Sequence, residues 1–144
     1  MTLKLIDSTY LTVQEISPHW PAIMACIEKY CARFNTEETP DHVLDEVATG
    51  QRRMWLVEDE EGRVVLVPIT SIETIEGTGM KQLFLAECGG ERLKEAMPLL
   101  AEIEQWAKQE HGVSRARFIA RKGWTDYLQP LGYKATAIVF DKEL

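Results

Sequence analysis

Three short strand-like runs, each closed by turn residues, follow one another between Met54 and Cys88, and this stretch limits the fold more than any other feature. Met54-Trp-Leu-Val-Glu58 leads into an acidic turn, Asp59-Glu-Glu-Gly62. Arg63-Val-Val-Leu-Val-Pro-Ile-Thr70 returns, with an extension toward Ile75, and Gly77-Thr-Gly79 turns the chain again. Lys81-Gln-Leu-Phe-Leu-Ala-Glu-Cys88 is the next strand, closing at Gly89-Gly90. Short turns join antiparallel neighbours, so the segment reads as a meander. Pro68 has no N–H to give a ladder, which predicts an edge, a bulge or a bend at that point.

On either side the period changes. Leu3-Lys-Leu-Ile-Asp7 alternates weakly and reads as a first strand. Ser17-Pro18 is a cap followed by a first-turn proline. It predicts a helix through Trp20, Ile23, Met24, Ile27 and Tyr30, ending near Phe34-Asn35. Thr39-Pro40 repeats the signal for a shorter helix with Val43, Leu44 and Val47 inward and Gly50 as its stop. Beyond Gly90, Leu93, Met97, Leu100, Ile103 and Ala107 form the stripe of a long helix that ends at His111-Gly112. Pro98 lies inside that pattern, so the helix either starts there or bends there. Ser114 to Ala120 is a short strand, Lys122 to Gln129 a short helix, and Pro130-Leu-Gly-Tyr133 a turn. Lys134-Ala-Thr-Ala-Ile-Val-Phe140 reads as the last strand, and Asp141 to Leu144 as a polar tail. The order is β-α-α-β-β-β-α-β-α-β. It predicts one α+β (mixed) domain over residues 1–144, a twisted mixed sheet flanked by helices.

The net charge of −7 argues against a general nucleic-acid binder, which needs a basic face to displace counterions. The acid is unevenly spread. Residues 1–72 hold 6 Lys and Arg against 12 Asp and Glu, whereas residues 73–144 hold 10 against 11. Arg115, Arg117, Arg121, Lys122 and Lys134 have only Asp126 among them. That cluster is either a site for one small anionic ligand or a solvated surface. Cys26, Cys31 and Cys88 have no metal or redox spacing, and His19, His42 and His111 are scattered, so no metal is expected. No apolar run reaches the roughly 20 residues of a bilayer span, and no apolar signal region follows Met1. No membrane role and a cytoplasmic location are therefore the default expectations.

The closing stretch carries a resemblance. Trp124-Thr-Asp-Tyr127-Leu128-Gln-Pro-Leu131-Gly132-Tyr133 is similar to the last helix and turn of the GNAT-type N-acetyltransferases, where Leu-Tyr is followed by Leu-Gly-Phe. The element order resembles that family along nearly the whole chain. Gly89-Gly90, Glu104-Gln-Trp-Ala-Lys108, Arg121-Lys-Gly-Trp124 and Lys142-Glu-Leu144, in that order, also resemble small GNAT-like proteins of tailed bacteriophages.

The resemblance implies acetyl-CoA as co-substrate, held where the fourth and fifth strands splay. Phe84, Leu85, Ala86 and Glu87 would lie along the pantetheine arm, with the pyrophosphate on the loop Cys88 to Lys94. Gly89, Gly90, Arg92 and Arg121 are the implied phosphate-side residues. The family's glycines are spaced, with an Arg or Gln ahead of them, whereas these are adjacent, so they cradle phosphate or only turn the chain. Glu87 and Glu73, with Glu76 behind them, are the candidate bases for an amine; each is otherwise a solvated charge. The family's Tyr position falls on Leu128, which leaves Tyr127 as candidate acid or as a packing residue. The implied function is acyl transfer to the amine of a small molecule or protein. The alternative is a phage protein that kept the fold without the enzyme, as a virion-associated or binding module. A homodimer or a phage protein complex is a further expectation.

Overall fold

The structure is a computed structural model; it describes residues 2–34, 37–86 and 90–144. β1 (Lys4–Asp7) is followed by α1 (Val13–Ile16), a 3-10 turn at Ser17–His19, α2 (Trp20–Arg33) and α3 (Pro40–Ala48). β2 (Arg53–Glu58), β3 (Val64–Leu66), β4 (Ile69–Thr74) and β5 (Lys81–Ala86) form the meander. Then come α4 (Leu93–Ala96), α5 (Leu100–His111), β6 (Arg115–Ile119) and α6 (Thr125–Leu128).

The strands make one mixed sheet in the order β1-β2-β4-β5-β6, with β3 beside β2. All neighbours are antiparallel except β5 and β6, which run parallel from Gln82↔Arg115 to Ala86↔Ile119. β3 and β4 are two halves of one returning strand, broken at Val67-Pro68 as the missing N–H requires. The Pro68 carbonyl still accepts from the Trp55 N–H at 2.9 Å, so the bend keeps β2 attached.

Both faces of the sheet are covered. Met54 and Leu56 of β2 pack with Ile23, Ile27 and Val43 of α2 and α3. Trp55, between them in sequence, points the other way with Leu83, Leu85, Leu100 and Ile103. That is why β2 is buried over four consecutive residues, and why its sequence shows a continuous apolar run.

Three local readings change. The first helical segment begins earlier than Ser17, because Thr12 and Glu15 close a reciprocal capping box on α1. The helix expected through Leu93 to Ala107 is divided by Pro98 into α4, a 3-10 turn at Met97–Leu99, and α5. The last strand expected over Lys134 to Phe140 does not form. Residues 134–144 are without regular structure and exposed throughout. The alternation is present there, but an isolated strand leaves its backbone groups and apolar side chains to water.

Candidate functional site

β5 separates two cavities of opposite character. On the α4 and α5 side lies an apolar cavity of about 20 Å³, walled by Leu85, Met97, Leu100, Phe118 and Trp124 among others. On the α2 and α3 side lies a pocket of about 150 Å³ lined by Tyr30, Glu38, Glu46, Arg52, Ser71, Glu73, Phe84 and neighbouring residues. Ala86, the last residue of β5 paired to β6, lines both.

The second pocket is acidic and built from two directions. Its floor is the face of β4 and β5 that carries Ser71, Glu73, Phe84 and Ala86. Its wall is Arg52, which follows α3 and draws two carboxylates together. Arg52 Nη2 lies 2.5 Å from Glu38 Oε1, and Arg52 Nε lies 3.0 Å from Glu46 Oε2. His42 Nε2 reaches the other Glu46 oxygen at 2.5 Å. Glu38 Oε2 is buried and has no hydrogen-bond partner among the described residues. An orphaned carboxylate oxygen beside a polar pocket is a strong acceptor for an N–H donor. Burial, reinforced by the Glu38 charge, pushes the Tyr30 phenol up to about 12, so it faces the pocket as a neutral donor.

Glu73 sits at the end of a polar chain across three strands. Buried Gln82 donates from Nε2 to Glu73 Oε2 at 2.9 Å. Its Oε1 accepts from Arg115 Nε at 3.0 Å and Nη2 at 2.6 Å. The amide of Gln82 is thereby fixed in orientation, and it holds the Glu73 carboxylate on the pocket rim. Arg115, placed by sequence in the basic cluster, is committed to this chain instead.

The phosphate side is arranged differently from the expectation. Glu87 and Gly89 lie outside the described residues. Gly90 has φ +150° and presses against β3: a Cβ there would stand 2.4 Å from the Val65 carbonyl oxygen and 2.9 Å from Leu66 Cα. Its carbonyl accepts from Lys29 Nζ at 3.2 Å, and the next amide, Glu91 N–H, donates to Val65 O at 2.7 Å. Arg92 caps α4 in the left-handed region at φ 57°. Its guanidinium is taken by Glu60, with both contacts at 3.1 Å, and by Glu95, at 3.1 and 2.7 Å. Those hydrogen bonds and charges hold Arg92 firmly protonated and already paired. α4 is only four residues long, so it offers one turn of aligned peptide dipoles. Arg121 is exposed where the chain leaves β6.

β5 and β6 stay paired through Ala86↔Ile119. The gap expected along Phe84, Leu85 and Ala86 therefore does not open on those residues, and Leu85 is buried in the second cluster. Tyr127 packs edge-on against Trp124, ring centroids 6.4 Å apart, and Trp124 lines the apolar cavity. Glu76 stays at the meander turn. The sequence did not single out Tyr30, Glu38, Glu46 and Arg52. They lie on three separate segments with no shared period, and the one available signal was that charged residues flank the helix from Pro40 to Ala48.

Among the described residues no group of three or more His, Cys, Asp or Glu side chains could hold a metal ion, and no helix is long and apolar enough to cross a membrane.

No family profile and no curated protein matches the chain. Solved structures do. An acetyltransferase of Trypanosoma brucei superposes with a TM-score of 0.66 at 12% identity, over 99% of this chain and 100% of that one. The glucosamine-6-phosphate N-acetyltransferase of Arabidopsis thaliana gives 0.67 at 12% identity, over 99% of both chains. A predicted acetyltransferase of Clostridium acetobutylicum, solved with acetyl-CoA, gives 0.66 at 11% identity, over 99% and 96%.

Proposed function

We propose that the chain, whose fold is that of the GNAT-type acetyltransferases, is an acyl-CoA-dependent N-acyltransferase whose acceptor is a cationic amine. The observation that carries the reading is that the apolar cavity and the acidic pocket, on opposite faces of the sheet, share Ala86 as a lining residue. A thioester arm needs an apolar channel, an ammonium group needs carboxylates, and the acyl carbon must sit where the two adjoin.

The apolar cavity, about 20 Å³, would admit the methylene groups of a pantetheine arm only once β5 and β6 part to widen it. Arg121, exposed where the chain leaves β6, would supply positive charge at the phosphate end. Acetyl-CoA supplies the activated acyl carbon. The chain's own residues do the rest. Glu38 and Glu46 attract the ammonium form of the acceptor, with Glu38 Oε2 free to accept its N–H. Glu73, at the pocket rim, takes the proton that the nitrogen must lose before its lone pair can attack. Tyr127, packed edge-on against the cavity-lining Trp124, would return a proton to the departing sulfur.

The test is calorimetry with acetyl-CoA, then mass spectrometry of lysine peptides and polyamines incubated with both. Binding and an added acetyl group are expected. Absence of heat and of thermal shift at millimolar acetyl-CoA would overturn the proposal.

The paired Arg92 and the closed β5–β6 ladder favour a second reading, a GNAT-fold binding module without catalysis. Detection of an acetylated product rules it out. The order of short motifs at Gly89-Gly90, Trp106, Trp124 and Lys142 supports a bacteriophage source, hence a host-cytoplasmic or virion-associated protein.

A further inference from the structure

Gln82 of β5 is 3% exposed, and charged groups of the two neighbouring strands take both ends of its amide. Glu73 of β4 and Arg115 of β6 are its register partners, so the three side chains leave the sheet on one face. Gln82 Nε2 donates to Glu73 Oε2 at 2.9 Å, while Gln82 Oε1 accepts from Arg115 Nε at 3.0 Å and from Nη2 at 2.6 Å. An amide turned end for end would set its oxygen against the carboxylate and its N–H groups against the guanidinium, and all three bonds would be lost. An anion on one side and a cation on the other thus permit a single orientation. Of the three residues, only Glu73 lines the acidic pocket. Gln82 and Arg115 stand behind it.

We infer that Arg115 and Gln82 are positioning residues for acyl transfer: Arg115 sets the Gln82 amide, and the amide sets the Glu73 carboxylate in the pocket, a role that rests on Glu73 being the base proposed above. Glu73 is exposed, and an untethered carboxylate at the rim turns freely. A base acts only when its oxygen lies about 3 Å from the proton it takes. The Gln82 N–H ties Glu73 Oε2 and leaves Glu73 Oε1 for the proton that the acceptor nitrogen loses. Without the guanidinium, the buried Gln82 oxygen has no donor. The side chain then turns to find one and draws its N–H off Glu73. Arg115 therefore acts on the reaction from two strands away and touches neither substrate.

The test is steady-state kinetics on Arg115→Met, Gln82→Met and Glu73→Gln, singly and in pairs, with acetyl-CoA and spermidine. Arg115→Met and Gln82→Met should each lower kcat about 10- to 100-fold, the cost of a misplaced group. The spermidine KM should stay within about twofold, because Glu38 and Glu46 still hold the ammonium. Combined, the two should cost no more than either alone, and neither should matter in the Glu73→Gln background. A kcat for Arg115→Met within about twofold of the parent overturns the proposal, as does an equal fall in the Glu73→Gln background, the mark of a merely structural role. Full rate in Glu73→Gln is a different failure, that of Glu73 as base. A second measurement needs no turnover. In nitrogen-15 NMR spectra the Gln82 side-chain N–H signals should move as acid neutralises the carboxylates and stand still in Glu73→Gln. In Arg115→Met they should lose that movement, while backbone signals away from β5 and β6 hold their places. The same movement in parent and Arg115→Met overturns the proposal whether or not acetylation is found.

Discussion

Gly90→Ala should destabilise the protein sharply, and the size of the loss follows from three contacts. The new Cβ would meet the Val65 carbonyl oxygen at 2.4 Å, Leu66 Cδ1 at 2.7 Å and Leu66 Cα at 2.9 Å. Only the Leu66 side chain can turn aside; the other two atoms belong to the β3 backbone. A φ of +150° is also closed to alanine, which costs on the order of 1–3 kcal/mol. Relief of the overlap requires the loop to lift off β3, at about 1–3 kcal/mol for overpacking. That lift breaks the bond from the Glu91 N–H to Val65 O, worth about 1 kcal/mol. One movement relieves strain and overlap together, so the terms are not additive, and the net loss is about 2–4 kcal/mol. For a chain of this length that lowers the melting temperature by roughly 5–15 °C. The assay is thermal unfolding followed by circular dichroism, with Gly123→Ala as the control. Gly123 has open space around its Cβ position and an ordinary φ, so its variant should stay within about 0.5 kcal/mol of the parent. A Gly90→Ala melting temperature within about 2 °C of the parent would refute the close-packing account and return Gly90 to the phosphate loop as a ligand contact.

Glu73→Gln should lower the acetylation rate by about 10²- to 10⁴-fold while leaving acetyl-CoA binding intact; an unchanged rate across pH removes Glu73 as the base. Arg92→Gln should leave acetyl-CoA affinity within about twofold, because its bonds go to Glu60 and Glu95; a loss of tenfold or more, read by calorimetry, would place Arg92 on the phosphates. Tyr30 makes stability pH-dependent at the alkaline end. Its proton is held to about 12 in the native state and leaves near 10.0 in the unfolded chain. The contribution is therefore complete below pH 10 and is lost as pH rises toward 12. Tyr30→Phe should flatten melting temperature against pH in that window, leaving the part due to Tyr133, which burial and Glu104 shift in the same direction. Identical slopes for parent and variant would count against it.

The sequence by itself determined the element order, because each element announces itself over a few neighbouring residues. Short apolar runs between turn residues mark the meander, Pro68 the bend, and Pro98 the break in the long helix. Caps at Thr39 and Gly112 bound their helices where expected, whereas Thr12 with Glu15, a legible box, was the signal passed over. The α+β class follows from those local facts alone.

Only the tertiary structure decided what each side chain meets. Arg92 reads as a phosphate cation until Glu60, thirty-two residues away, is seen to pair with it. Arg115 reads as surface charge until Gln82 binds it, and Glu38, Glu46 and Arg52 become one wall only when α3 folds down beside β4. Residues 134–140 have strand alternation yet lie unpaired and exposed, because a strand exists only with a partner edge. Helices and turns are stabilised by groups a few residues apart, so they can be read along the chain. Ion pairs, pockets and strand partners depend on separations of tens of residues, or on another chain, and these no local pattern encodes.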